Sequence, residues 1–205
     1  MPQKIEFKDY FPVAVLHYKI DDDMANAVCS AVEPELSKLQ RTTPIVDYGG
    51  DPYTSVDTHA TDFWDNKIQI HKLVPDFFEE VRNAVLLYQE HTSIMINPNF
   101  KIRYWTQDYS DGDSHDIHNH GIHGISGTYY MRANSAAGPI RFYNPNQVAG
   151  LVKHMMSGNP YCADTMDVYP EKGTMLIFPS YLKHKVVECN EGAIRTSISF
   201  DICPG

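Results

Sequence analysis

Positive charge is scarce in this chain. Its 17 lysines and arginines face 26 aspartates and glutamates, a formal charge of −9, which argues against a broad surface for nucleic-acid phosphate or anionic lipid. Cysteine is scarce too. Cys29, Cys162, Cys189 and Cys203 lie far apart with no CxxC pair, so neither a zinc knuckle nor a disulfide framework is indicated, and free thiols in a reducing cytoplasm are expected. Long apolar runs are missing. The opening stretch MPQKIEFKDYFPVAVLHYKI is interrupted by Pro12 and His17 and offers no small-residue cleavage site, so no signal peptide or membrane span is expected. Internal repeats, low-complexity tracts and long linkers are absent as well, which leaves one compact unit to explain.

What is present fits that unit. With 205 residues, 42% of them hydrophobic, the chain can bury a core as a single domain over 1–205, without disulfides or a partner. The first part, about 1–98, reads as helical support. Asp21-Asp22-Asp23 offers an N-cap and first-turn negative charge, and Met24, Val28, Val32, Leu36 and Leu39 follow at helical spacing, predicting a helix over 22–40 with a kink or break at Pro34. A second helix is expected over 75–91, with Pro75 at its first position and Phe77, Phe78, Val81, Val85 and Tyr88 along one side. A short strand is expected at Val13–Leu16. Residues 42–66 read as a surface loop past which a substrate would enter.

From about residue 99 to 203 the pattern changes to short runs rich in Ile, Tyr, Phe and Val between Gly, Pro and Asn. Strands are expected at Phe100–Trp105, Gly124–Arg132, Pro139–Tyr143, Thr174–Phe178, His184–Glu188 and Arg195–Ile202. Short antiparallel strands with two supporting helices indicate a mainly β (α+β) jelly roll.

Ten histidines are many for this length, and four of them, His115, His118, His120 and His123, crowd into nine positions. On an extended chain, residues two apart share a face, so His118 and His120 can converge on one metal ion while Asn119 points away. A catalytic iron needs a facial set of protein ligands with open positions opposite. His184, which opens a strand after the turn that follows Phe178-Pro179, is the candidate third ligand, and Asp116 is the alternative to His120. Eleven residues beyond His184, Arg195 and Ser197 share a face. A guanidinium fork with an adjoining hydroxyl suits one carboxylate of a dicarboxylate. Tyr130, on the face of Ser126 and Thr128, is a further candidate donor.

These residues together resemble a family, the 2-oxoglutarate/iron(II) oxygenases of the HxH…H…RxS type within the double-stranded β-helix superfamily. Trp105, Gly112, His118, His120, Ser126-Gly127, Tyr129-Tyr130, Gly173, Phe178-Pro179, His184, Arg195 and Ser197 to Phe200 occupy the places of its motif, about the C-terminal half of the chain. The resemblance implies a double-stranded β-helix, with His118, His120 and His184 on Fe(II) and with Arg195, Ser197 and Tyr130 on 2-oxoglutarate. It also implies oxidative decarboxylation of that cosubstrate, with dioxygen, to succinate and carbon dioxide, coupled to attack on a C–H bond of an organic substrate, a small molecule or a protein side chain. Where the wider superfamily carries HxD or HxE, this chain has His118-Asn119-His120, which makes the ligand set one unit more positive.

Plainer readings stand beside these. His17, His59, His71, His91 and His154 read as surface or structural residues, and His115 and His123 as neighbours that orient a ligand or touch substrate. Tyr104 and Trp105 read as pocket walls, and Asp108, Asp111 and Asp113 as a solvated loop whose glycine spacing does not match an EF-hand. Arg195 could instead pair with a carboxylate on a neighbouring strand. Two other functions fit the same residues: a three-histidine dioxygenase of cupin type that uses no 2-oxoglutarate, which would make no succinate, and a non-enzymatic jelly-roll module whose structural zinc would be closed by four protein ligands.

Overall fold

The computed structural model of the chain describes residues 13–38, 68–121, 124–146 and 163–203. The expected entry loop at 42–66 and the residues His59, His123, His154 and Cys162 lie outside them.

Among the described residues nine strands form two antiparallel sheets. The major sheet has the order β1 (Leu16–Lys19), β7 (Thr174–Pro179), β4 (Ile125–Ala133), β9 (Arg195–Cys203) and β2 (Lys101–Tyr109). The minor sheet has the order β3 (His115–His118), β8 (His184–Val186), β5 (Ile140–Tyr143) and β6 (Thr165–Val168). Tyr130, Leu176 and Phe178 of the major sheet pack against Ile140 and Phe142 of the minor one, so the sheets face each other as in a jelly roll, the double-stranded β-helix architecture.

The other face of the major sheet is covered by α1 (Asp22–Leu36), the single turn α2 (Ile70–Leu73) and α3 (Pro75–Thr92). Asp21 caps α1 by accepting from the Met24 N–H at 2.8 Å, and Pro75 opens α3, as the caps predict. Pro34 falls in the last turn of α1, and the helix ends at Leu36, short of the expected residue 40. Val28, Val32, Phe77, Val81 and Val85 meet Tyr129, Ile198 and Phe200 of the sheet in one core. Gly127 is required there, since a Cβ would lie 2.3 Å from the Phe200 ring. None of the described helices is long and apolar enough to cross a membrane.

The strand over Val13–Leu16 is displaced to Leu16–Lys19, where Leu16 to Lys19 pair with Ile177 to Thr174. Val13 and Val15 pack against the core between the sheets without joining the ladder. A strand is set by where a partner backbone lies, and apolar composition locates it only nearby. The short strands β3 and β6 and the turn α2 had no clear periodic signal.

Candidate metal centre

His118 ends β3 directly opposite His184, the first residue of β8, and His120 follows in a bend whose backbone N–H donates to the Ser180 carbonyl at 2.9 Å. One ring nitrogen from each of the three imidazoles lies within 4.8 Å of the others, a separation that one ion could bridge. Asn119 between them is exposed. Among the described residues no fourth His, Cys, Asp or Glu joins this group. Asp116, the alternative to His120, is exposed, and its backbone carbonyl serves His118.

The hydrogen bonds settle which nitrogens face inward. His118 Nδ1 lies 2.7 Å from the Asp116 carbonyl, His184 Nδ1 lies 2.8 Å from the Leu182 carbonyl, and His120 Nδ1 lies 2.5 Å from the Asp201 carboxylate. Carbonyl and carboxylate oxygens only accept, so each Nδ1 carries the proton and each Nε2 keeps its lone pair, the form that binds metal. Burial is the main cause that keeps the imidazoles of His115, His118 and His184 neutral. The His118 imidazole is brought down to about 4 and that of His115 to about 3, and His184 lies well below its ordinary value.

His115 is closer to the centre than its odd offset from His118 implies. The register shifts between the two residues, and this bulge re-aims the His115 ring so that it stacks on His118 with centroids 4.1 Å apart and planes 17° apart. Its Nδ1 lies 3.4 Å from the Tyr109 hydroxyl.

Arg195 is 2% exposed. Its guanidinium carbon stands 4.6 Å from the Tyr109 ring centre and 5.2 Å from that of Tyr130. Ser197, directly opposite Tyr130 in the β4–β9 ladder, is buried beside them. Arg195 Nε and Nη1, Ser197 Oγ and Tyr130 Oη are all buried without a hydrogen-bond partner among the described residues. The alternative of a carboxylate partner for Arg195 on a neighbouring strand is therefore not seen at these atoms. Burial raises the Tyr130 phenol, and the Arg195 charge opposes that rise in part. Buried donors are nearly always satisfied in folded proteins, so the chemistry of this group of donors fits an acceptor-rich, anionic ligand.

Other expectations sort by strand parity. Trp105 lies against the His120 ring, with centroids 5.5 Å apart, as a pocket wall should. Tyr104 does not. It points to the helices, where it contacts Phe78 and His71, because adjacent strand residues face opposite ways. The acidic run is a solvated loop only in part, with Asp111 exposed at a turn and Asp108 and Asp113 half-buried. Asp108, on β2, accepts from Thr196 at 2.6 Å; Asp111 accepts from the Gly192 and Ala193 N–H groups; and Asp113 accepts from Ser110. His17 and His91 are exposed, and Cys29 and Cys189 are free thiols. Asp201, which holds His120, and Tyr109, which underlies Arg195, were not among the candidates. Asp201 could have been found, since it lies an even number of residues beyond Arg195 and Ser197 and so shares their face.

Residues 103–201 match the model of the family described as "Putative 2OG-Fe(II) oxygenase". No curated protein matches the chain. Among solved structures, a prolyl-4-hydroxylase of Pseudomonas putida superposes with a TM-score of 0.61 at 12% identity, over 93% of this chain and 92% of its own. The viral collagen prolyl hydroxylase of Paramecium Bursaria Chlorella virus-1, solved as a 2OG complex, gives 0.52 at 10% identity over 92% and 96%. At such identities the likeness is one of fold, and the fold is the double-stranded β-helix.

Proposed function

We propose that the chain, whose residues 103–201 match the model of the 2OG-Fe(II) oxygenase family, is a 2-oxoglutarate-dependent iron(II) dioxygenase that hydroxylates an organic substrate. His118, His120 and His184 hold the metal, and Arg195, Ser197 and Tyr130 hold the distal carboxylate of the cosubstrate. The observation that carries this reading is the set of four buried, unpartnered polar atoms on Arg195, Ser197 and Tyr130 in the same inter-sheet space as three inward-facing imidazoles.

Bound there, iron and 2-oxoglutarate supply the oxidative decarboxylation to succinate and carbon dioxide that drives hydroxylation. The chain's own residues bind, orient and exclude. Arg195 offers Nε–H and Nη1–H as a fork, Ser197 and Tyr130 add hydroxyls, and Tyr109 keeps the guanidinium in place through its ring face. Phe178, 4.9 Å from His184 between ring centroids, and Trp105 wall the imidazoles. A dry wall of this kind strengthens the charge interactions inside it.

A set of three protein donors leaves coordination positions for exogenous ligands, whereas a structural zinc site would be closed by four. The cupin-type reading would give Arg195 to the organic substrate. Anaerobic titration of 2-oxoglutarate into the Fe(II)-loaded protein, followed by succinate assay on admitting air, separates these readings. Saturable binding and succinate formation, both lost in Arg195→Met, are expected. Fe(II) binding with neither 2-oxoglutarate binding nor succinate would overturn the cosubstrate assignment, and failure to bind Fe(II) would overturn the whole proposal.

A further inference from the structure

The three imidazoles are not held alike. His118 and His184 each donate to a neutral backbone carbonyl two residues earlier in the chain. His120 instead donates to Asp201, a carboxylate that is 2% exposed, at 2.5 Å. The same oxygen, Oδ1, also accepts from Ser126 Oγ at 2.7 Å, and Ser126 Oγ lies 2.7 Å from Ser180 Oγ. The backbone carbonyl of Ser180 takes the N–H of His120. The contacts close a ring through β4, β9, the turn after β7 and the ligand bend.

Proton placement within the ring follows from the groups themselves. An ionised carboxylate only accepts, so Ser126 must give its single proton to Asp201, which leaves Ser180 to donate to Ser126. His120 then has one available role, with Nδ1–H toward Asp201 and the Nε2 lone pair toward the other two imidazoles. Ser126 and Ser180 have no exposure, so water does not compete for these bonds. Arg103 lies opposite Asp201 across the β2–β9 ladder and over Trp105, whose ring covers His120.

We propose that Asp201 is a positioning residue for the metal: it locks the tautomer and angle of His120 and lends that imidazole anionic character. The negative charge that an HxD or HxE pair would place on the ion thus sits one hydrogen bond further out. This rests on the three-histidine metal reading above. It also changes the expectation that a third histidine leaves the centre one unit more positive, since the compensating carboxylate is buried within the same site.

Cobalt(II) is the probe, because its visible spectrum reports the ligand field without turnover. Asp201→Asn keeps the shape but removes the charge and can turn an amide N–H toward Nδ1, which would force the wrong tautomer. The expected result is a 10- to 100-fold loss of Co(II) affinity and an altered Co(II) spectrum, with the far-UV circular dichroism of the wild type. In a His120→Ala background the same substitution should change Co(II) affinity no further. Wild-type affinity and spectrum in Asp201→Asn, or an equal loss in both backgrounds, would overturn the proposal. Should the variant not fold, the wild-type zinc(II) form decides by proton NMR. A His120 Nδ1–H resonance well downfield of those of His118 and His184 is expected, and three alike would overturn it. A wild-type chain that binds no Co(II) would instead remove the metal reading, and this inference with it.

Discussion

On one face of β9, Thr196, Ile198, Phe200 and Ile202 turn toward the helices; on the other, Arg195, Ser197, Ser199 and Asp201 turn toward the minor sheet, and all eight are buried. The helix face is an ordinary core, with Ile198 and Phe200 packed among Phe77, Val81 and Tyr129. The inner face is equally dry yet polar, and it is uneven. At its Asp201 end the donors and acceptors are matched. In the middle, Ser199 donates to Gln107 at 3.0 Å. At the Arg195 end they are orphaned. Burial by itself therefore does not separate what holds the fold from what does its chemistry. Polar satisfaction does, because an apolar face stabilises by area removed from water, while a buried donor without a partner is a cost that only a ligand relieves.

Cutting each face in turn tests that contrast. Phe200→Ala should have the largest effect on folding, a loss of about 3–5 kcal/mol from lost burial and the cavity left behind, read as a lower urea midpoint. The molecules still folded should bind 2-oxoglutarate as before, and a matching loss of affinity would mean that the two faces are not separable.

Arg195→Met should do the reverse. Removing a two-pronged, charge-assisted contact should weaken 2-oxoglutarate binding about 100-fold. The urea midpoint of the ligand-free protein should hold or rise, since an uncompensated buried cation is gone. A large drop in that midpoint would show that Arg195 is structural.

The histidine end should respond to acid. Folding depresses His118 to about 4 and His115 to about 3 from an ordinary value of 6.5, and lowers His184 as well. Below 6.5 the unfolded chain takes up protons that the folded one refuses. The stability these groups contribute is therefore complete above about pH 6.5 and is lost as pH falls toward 4. Urea midpoints of the metal-free protein should fall between pH 7.5 and 5, and a flat profile would contradict the burial of these rings.

Ser199→Ala makes the smallest cut. It removes a satisfied bond from the polar face and should cost about 1 kcal/mol, with 2-oxoglutarate affinity unchanged. A loss of affinity here would extend the ligand pocket to the middle of the strand.

Much of this was legible in the residues. The 3.6-residue spacing of Val28, Val32 and Leu36 and the position of Pro75 mark two helices, and the alternation of β4 and β9 puts Ser126, Thr128 and Tyr130 with Arg195 and Ser197. The two-residue step from His118 to His120 places them together. What failed did so for definable reasons. The parity argument assumes an unbroken ladder, and the bulge between His115 and His118 breaks it. Tyr104 and Trp105 cannot form one wall, because neighbours on a strand face opposite sides. The hydrogen bonds of Asp108 and Asp111 are hidden in the sequence because their partners, Thr196 and the Gly192 and Ala193 N–H groups, are distant in the chain.

The amino-acid sequence by itself determined the ingredients and their local order: most of the longer elements, and which neighbouring side chains share a face, as His118 does with His120 and Arg195 with Ser197. Periodicity acts over a few residues, so these facts survive without a fold. Only the tertiary structure decided which partners meet. Asp201 reaches His120 across 81 positions, and Arg195 Nε and Nη1 are left without an acceptor among the described residues, because strands distant in sequence become neighbours only when the two sheets close over a common interior.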